Sequence, residues 1–86
     1  MSYSYAELKP KLFTDDGQRM FLKIRDRVRR LLDDAGAFQM ERAWSGVTGD
    51  TWTMLACVDR LVELGEISEL RRDCAGQYRT FVRINQ

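Results

Sequence analysis

Apolar residues recur at helical spacing in two long stretches of the chain. The first stretch follows Thr14, Asp15 and Asp16, which are typical of a helix cap and first turn, and it stops at Gly36. Within it, apolar side chains occur at intervals of three and four: Met20, Phe21, Ile24, Val28, Leu31, Leu32 and Ala35. This spacing predicts an amphipathic helix of about five turns.

The second stretch predicts a helix that begins at Asp50 or Thr51 and closes at Gly65. Its buried stripe would consist of Leu55, Val58, Leu61, Val62 and Leu64. Three more apolar side chains extend this surface beyond one stripe, namely Trp52, Met54 and Cys57. A helix that is apolar over so much of its circumference is packed on two sides or keeps part of its surface for a partner.

Two shorter segments lie outside the long helices. Residues 3–13 carry large apolar and aromatic side chains around Pro10, and the proline prevents a long helix there, so we expect an N-terminal arm or edge strand. This arm would fold back on its own core or cross to a second copy of the chain. Residues 38 to about 44 predict a short helix, and Gly46 and Gly49 then favour a tight turn.

After Gly65 the pattern changes from helical to extended. Residues 66–72 and 77–84 are rich in β-branched and aromatic side chains and are joined by residues 73–76, which predicts a β-hairpin. Two strands alone are only marginally stable, so one face of this hairpin must pack against the helices.

Length and composition limit the classes of function. With 86 residues the chain forms one domain, which we divide into an arm over residues 1–13 and a folded domain over residues 14–86. No apolar run approaches the ~18 to 20 residues that cross a bilayer, and the start of the chain lacks a signal-peptide pattern. We therefore expect a cytoplasmic protein without a membrane partner.

The chain contains no histidine and only two cysteines. Without imidazole, histidine-dependent triads, general bases and mixed zinc sites are excluded, and two thiols are too few for a four-thiolate site. We therefore expect no enzyme activity, no cofactor and no metal. Cys57 is predicted to be a core residue, whereas Cys74 would be exposed at the hairpin tip.

The predicted order of helix, short helix, tight turn, helix and hairpin resembles the winged helix-turn-helix family. The likeness covers about residues 17–84 and is most specific in Leu61-Val62-Glu63-Leu64-Gly65-Glu66-Ile67, which looks like the end of a recognition helix that runs into the first wing strand. The resemblance implies an α+β, mainly helical fold: a three-helix core closed by a two-stranded antiparallel wing, preceded by the arm. We expect a homodimer through the arm or the long helix.

The same resemblance implies a small, non-enzymatic regulator that binds DNA. In winged-helix proteins the helix that matches residues 50–64 enters the major groove, and the hairpin tip touches the adjacent backbone or minor groove. The implied nucleic-acid contacts are Thr48, Thr51, Thr53 and Arg60 around the helix, with Arg71, Arg72, Gln77 and Arg79 on the wing.

The charge distribution opposes this interpretation and leaves a second function open. Residues 37–66, which include the recognition helix, sum to minus three, and Asp50, Asp59, Glu63 and Glu66 would face or flank the polyanion. The alternative is a protein-interaction module of the same fold that does not bind DNA and uses the Trp52 face. Its expected interface residues are Trp52, Met54, Tyr3 and Tyr5.

The first long helix carries the opposite charge. Residues 17–36 contain six basic against three acidic side chains, a net charge of plus three. Asp26 with Arg30 and Arg29 with Asp33 are each four residues apart, which favours a solvated face with weak ion pairs over a surface that contacts phosphate.

Overall fold

The computed structural model of the chain describes residues 3–70 and 79–84. Over these residues the protein is an α+β fold that is mainly helical and contains a three-stranded antiparallel sheet. The helical elements are α1 (Tyr5–Leu8), a 3-10 helix (Lys9–Phe13), α2 (Asp15–Ala35), α3 (Met40–Ala43) and α4 (Thr51–Glu63). The strands are β1 (Ala37–Gln39), β2 (Ile67–Glu69) and β3 (Thr80–Arg83).

Both long helices, α2 and α4, begin and end where the sequence indicates. The Thr14 hydroxyl accepts a hydrogen bond from the Gly17 amide at 3.0 Å, and Gly36 follows α2 in left-handed backbone with φ 76°. At the start of α4 the Asp50 carboxylate accepts a hydrogen bond from the Thr53 amide at 3.2 Å. These caps satisfy amide donors that have no partner inside the helix, and they therefore fix where each helix starts.

Strand β3 lies at the centre of the sheet, in the order β1-β3-β2. Phe81 of β3 is opposite Phe38 of β1 on one side and opposite Glu69 of β2 on the other. The two C-terminal segments predicted as extended thus contribute β2 and β3, which pair antiparallel, while their connection at residues 71–78 lies outside the described residues. The prediction of only two strands is wrong, because β1 adds a third.

Residues 38 and 39, predicted as the start of a short helix, belong to strand β1 instead. The rings of Phe38 and Phe81 stack with their centroids 5.3 Å apart, and the Met40 amide donates a hydrogen bond to the Arg79 carbonyl at 2.7 Å. Only the four residues of α3 are helical. Pairing with a distant strand outweighs the local helical preference, because β3 is then hydrogen-bonded along both of its edges.

The N-terminal segment, residues 3–13, forms two short helical elements rather than an extended arm or edge strand. Pro10 lies in the first turn of the 3-10 helix, where its missing amide leaves no helical hydrogen bond unmade. Leu8 and Leu12 are buried with side chains of α2 and α4. The segment therefore folds back on its own chain and extends the core.

The hydrophobic core lies between α2, α4 and the sheet. Its largest fully buried side chains are Phe81, Leu12, Ile24, Met40, Leu61, Ile67, Val28, Val58 and Cys57. In the part of the chain that the structure describes, no helix combines the length and the apolar character that crossing a membrane requires.

Candidate nucleic-acid interface

The N-terminal segment covers the polar side of α4, the helix that the sequence assigns to DNA. The Tyr3 hydroxyl donates a hydrogen bond to the Asp59 carboxylate at 2.5 Å, and the Tyr5 hydroxyl donates one to Glu63 at 2.9 Å. The Lys9 ammonium forms an ion pair with Glu63 at 2.9 Å. Both tyrosines predicted as interface residues therefore contact their own chain, and this side of α4 is not open to a DNA groove.

These contacts shift the ionisation of the groups that make them. Burial and the hydrogen bond to Glu63 raise the pKa of Tyr5 to about 12, and burial with the Asp59 contact raises the pKa of Tyr3 as well. Hydrogen bonds from Lys9, Arg60 and Tyr5 lower the pKa of Glu63 from its ordinary 4.5 to about 2. At neutral pH the tyrosines are therefore donors and the carboxylate is an acceptor.

Arg79, a predicted wing contact, is held inside the protein. Its guanidinium forms ion pairs with Asp59 at 2.8 Å and with Glu69 at 2.9 Å, and it lies 5.3 Å from the centre of the Phe81 ring. Only 18% of the side chain is exposed. The hydrogen bonds that its guanidinium donates to Glu69 and Asp59 raise the pKa of Arg79. This arginine joins α4 to the sheet, and its charge is already neutralised.

Arg60, the one basic residue predicted to read bases from α4, is also occupied. Its guanidinium pairs with Glu63 at 2.5 Å and lies 5.4 Å from the centre of the Phe13 ring. The hydrogen bond to Glu63 raises the pKa of Arg60. The side chain points along its own helix toward the N-terminal segment.

The predicted threonine contacts divide into two groups. Thr48 and Thr51 are exposed beside the start of α4. The Thr53 hydroxyl instead donates a hydrogen bond to Asp50 at 2.8 Å, which lowers the pKa of that carboxyl. The remaining predicted wing contacts lie outside the described residues; they are Arg71, Arg72 and Gln77. Cys74 also lies outside the described residues.

The apolar residues predicted to form a protein interface lie mostly inside the fold. Met54 is 3% exposed, so it is a core residue and not part of a surface patch. Trp52 is partly buried against the core. Cys57 is fully buried, and burial raises the pKa of its thiol to about 12, which keeps it protonated and unreactive. Helix α4 contacts the N-terminal segment, α2 and the sheet, and these neighbours leave little of its apolar surface open.

The acidic side chains around α4 all have partners within the chain. Asp50 caps the helix, Asp59 pairs with Arg79, and Glu63 pairs with Lys9 and Arg60. Glu66, which follows the helix, pairs with Arg29 of α2 at 2.8 Å. The negative charge of these four acids thus contributes to the folded structure. The remaining acid of residues 37–66, Glu41 of α3, is exposed and forms no ion pair among the described residues.

The ion pairs on α2 differ from those that its sequence spacing favours. Arg29 pairs with Glu66, and Asp33 pairs with Arg83 at 2.5 Å, so neither takes its neighbour four residues away. Asp26 contacts Arg25 at 3.4 Å rather than Arg30. Asp26 and Asp33 are therefore paired away from part of the basic surface of α2, whereas Asp34 forms no ion pair among the described residues.

Four basic side chains remain together on the outer side of α2 and α3. We call this surface the basic face, and it consists of Lys23, Arg27, Arg30 and Arg42. The Arg27 Nε donates a hydrogen bond to the Arg42 carbonyl at 3.2 Å, which places the two residues side by side. Among residues 3–70 and 79–84, none of the four forms an ion pair with a carboxylate. Arg42 was not predicted, because packing and not sequence spacing brings α3 next to α2.

No other recognisable chemistry is present in the described part of the chain. It holds no cluster of three or more histidine, cysteine or carboxylate side chains that could bind a metal ion. Comparison of the chain with protein-family models, with curated proteins and with solved structures gives no significant match.

Proposed function

We propose that the protein is a non-enzymatic, winged-helix-type domain that binds duplex DNA through the basic face, with the cations contacting phosphates. The order α2, β1, α3, α4, β2, β3 supports the fold type, since apart from β1 it follows the order of elements that the resemblance implies. The basic face supports the ligand, and it replaces Arg60 and Arg79 as the principal contact surface.

The observation that carries this proposal is the missing carboxylate partners of the basic face. An arginine or lysine that already pairs with an acid gains little from a phosphate, whereas an unpaired cation releases counterions when it binds one. Lys23, Arg27 and Arg30 follow one another at intervals of four and three on α2, so they share one side of the helix. Lys23, Arg30 and Arg42 are all exposed to solvent.

We expect this surface to bind duplex DNA without recognising a particular base sequence. Cations on the outside of a helix reach phosphate oxygens, which position a protein on DNA without reading its bases. We expect weak binding of random duplex DNA, with a dissociation constant on the order of 1 to 100 μM at physiological salt. With four phosphate contacts, the slope of log K against log salt would be about −3.6.

Fluorescence anisotropy with a labelled random duplex, titrated at several salt concentrations, tests the proposal. The double variant Lys23→Gln, Arg30→Gln is expected to bind at least about tenfold more weakly and to reduce the salt slope by about two. Arg29→Gln with Arg83→Gln is the matched control, because it removes the same charge from another side of the molecule. We expect this control to change the affinity by less than about threefold.

Two results would contradict the proposal. No binding by the wild-type protein at low salt would exclude DNA as the ligand. An equal loss in both double variants would mean that overall charge, and not the basic face, governs the interaction.

The alternative function, protein binding through the Trp52 face, has less support. Of its four expected residues, Met54 is buried, Tyr3 and Tyr5 bind α4, and Trp52 is partly packed against the core. A protein partner needs an exposed apolar surface, and that surface lies elsewhere on the molecule.

A further inference from the structure

Three exposed apolar side chains mark a surface around the end of α4. We call it the apolar strip, and it consists of Phe13, Leu64 and Ile84, which are 59%, 51% and 37% exposed. Single exposed apolar side chains are common on protein surfaces. A contiguous exposed apolar surface is less common and marks an interaction site.

Two grooves join these side chains into one surface. The first, of about 390 Å³, lies between α2, the end of α4 and the strands, and Leu64 and Ile84 stand at its edge. Its floor is aliphatic and includes Val28 and Leu61. The second groove, of about 280 Å³, is lined by Phe13 and again by Leu64. Leu64 therefore lies between two neighbouring pockets that could each receive an apolar side chain.

The walls of the grooves carry net positive charge. Arg25, Arg29 and Arg83 line the first groove and Arg60 lines the second, against two acids, Asp33 and Glu66, so that the lining residues alone sum to plus two. Two further acids contact these arginines from outside the lining: Glu63 pairs with Arg60 and Asp26 contacts Arg25. Each of these arginines except Arg25 has an ion pair shorter than 3 Å.

Arg25 is the cation with unused binding capacity. Its contact with Asp26 is long, at 3.4 Å, and its buried Nε has no hydrogen-bond acceptor among the described residues. The Nε is closed to solvent, but 31% of the Arg25 side chain is exposed, so a carboxylate in the groove can contact the rest of the guanidinium. A hydrogen bond between two charged groups is stronger than one between neutral groups.

We propose that the apolar strip docks an acidic, amphipathic segment of a partner protein, with apolar side chains in the two grooves and a carboxylate beside Arg25. This interaction is separate from DNA binding. Arg25 is two residues from both Lys23 and Arg27, which places it about 200° away around α2 and on the other side from the basic face.

The charge of the strip favours such a partner over a second copy of this chain. In a symmetric dimer each strip would face an identical strip, so the two sets of positive groove walls would meet. An acidic segment instead meets complementary charge, which gives both specificity and a faster association rate. A small molecule in the first groove would leave Phe13 uncovered.

The test uses a labelled 14-residue helical peptide with leucines at positions that repeat every three or four residues and glutamates between them. Fluorescence anisotropy should show saturable binding to the wild-type protein. Leu64→Gln and Arg25→Gln are each expected to weaken binding about tenfold, since each removes a central contact. Leu70→Gln is the matched control, because Leu70 is 60% exposed and lines neither groove, and it should leave the affinity within about twofold.

A second peptide, in which every glutamate is replaced by glutamine, tests the charge requirement. It should bind at least about fivefold more weakly at low salt, and the difference should shrink as salt rises. Equal binding of the two peptides would overturn the proposed acidic character. An equal loss with Leu70→Gln, or no saturable binding, would overturn the site.

Light scattering of the protein alone tests the remaining alternative, in which a second copy of the chain covers the apolar strip. The proposal expects a molar mass that Leu64→Gln does not change. A dimer that dissociates in Leu64→Gln would assign the apolar strip to a second copy and would contradict a partner segment.

Discussion

Arg79 contacts side chains from three parts of the chain: Asp59 of α4, Glu69 of β2 and Phe81 of β3. Asp59 and Glu69 are 15% and 14% exposed, so the loss of their partner would leave two nearly buried carboxylates uncompensated. We therefore expect Arg79→Gln to lower the free energy of unfolding by about 2 to 3 kcal/mol, measured by urea denaturation.

Arg83→Gln is the control for this prediction. Arg83 forms an ion pair with Asp33, and both side chains of this pair are more than half exposed. Its loss should therefore lower the free energy of unfolding by less than about 1 kcal/mol. Equal effects of the two substitutions would show that Arg79 is not the structural link that its contacts indicate.

Glu63 makes the free energy of unfolding depend on pH in the acid range. Because its pKa is lowered to about 2 in the folded protein, its contribution is complete above its ordinary pKa of 4.5 and is lost as pH falls from about 5 toward 2. Glu63→Gln should remove this part of the pH dependence. The measurement is the urea midpoint from pH 7 to pH 2.5, and parallel curves for wild type and variant would contradict the prediction.

The sequence identified the residue types of the candidate site but not their partners. Arg60 is a basic residue of the predicted recognition helix and Arg79 one of the predicted wing, and these positions made them candidate DNA contacts. Their acidic partners come from residues three to twenty positions away, and Tyr3 reaches Asp59 across 56 positions. Which cations remain unpaired depends on tertiary packing, so spacing alone could not separate Arg79 from Arg30.

At the level of elements, Gly17 controls the contact between α2 and the 3-10 helix. A Cβ atom at this position would lie 2.8 Å from the Leu12 Cα and still closer to the Lys11 carbonyl oxygen. Gly17→Ala should therefore destabilise the protein by about 2 to 4 kcal/mol, although alanine favours a helix by about 1 kcal/mol over glycine.

Gly36→Ala is the matched control. Nothing lies within 4 Å of its Cβ position, so only the left-handed φ of 76° opposes the substitution, at about 1 to 2 kcal/mol. Thermal unfolding of both variants measures the difference. A smaller loss at Gly17 than at Gly36 would mean that the N-terminal segment can move away from α2 at little cost.

The elements that the sequence predicted well are those whose ends are fixed locally. Thr14 and Gly36 define α2, and Asp50 defines α4, through hydrogen bonds or backbone geometry within a few residues. Strand β1 was missed because its three residues become extended only by pairing with β3, about 43 positions later. The helices of the N-terminal segment were missed for a similar reason, since Leu8 and Leu12 are buried by distant parts of the chain.

Over the whole molecule, α2 separates two surfaces of different chemistry. The basic face carries unpaired cations, and the apolar strip combines exposed aliphatic and aromatic side chains with arginine walls. Among the described residues, many of the acids that lower the net charge to plus one pair with cations of the same chain, such as Glu66, Asp59 and Asp33. A near-neutral protein can therefore still offer a local surface for a polyanion. The homodimer expected from the sequence stays a prediction.

The positions of the two surfaces predict that DNA and the acidic peptide bind independently. The two surfaces lie on opposite sides of α2, and a helix with its side chains is about 10 to 12 Å across, whereas charges in 0.15 M salt are screened over about 8 Å. A bound acidic peptide should therefore change the dissociation constant for duplex DNA by less than about twofold. Anisotropy of labelled DNA with and without saturating unlabelled peptide measures this. Competition between the two ligands would place them on one surface and would contradict the assignment of separate faces, whereas independent binding would make the domain a bridge between nucleic acid and a partner protein.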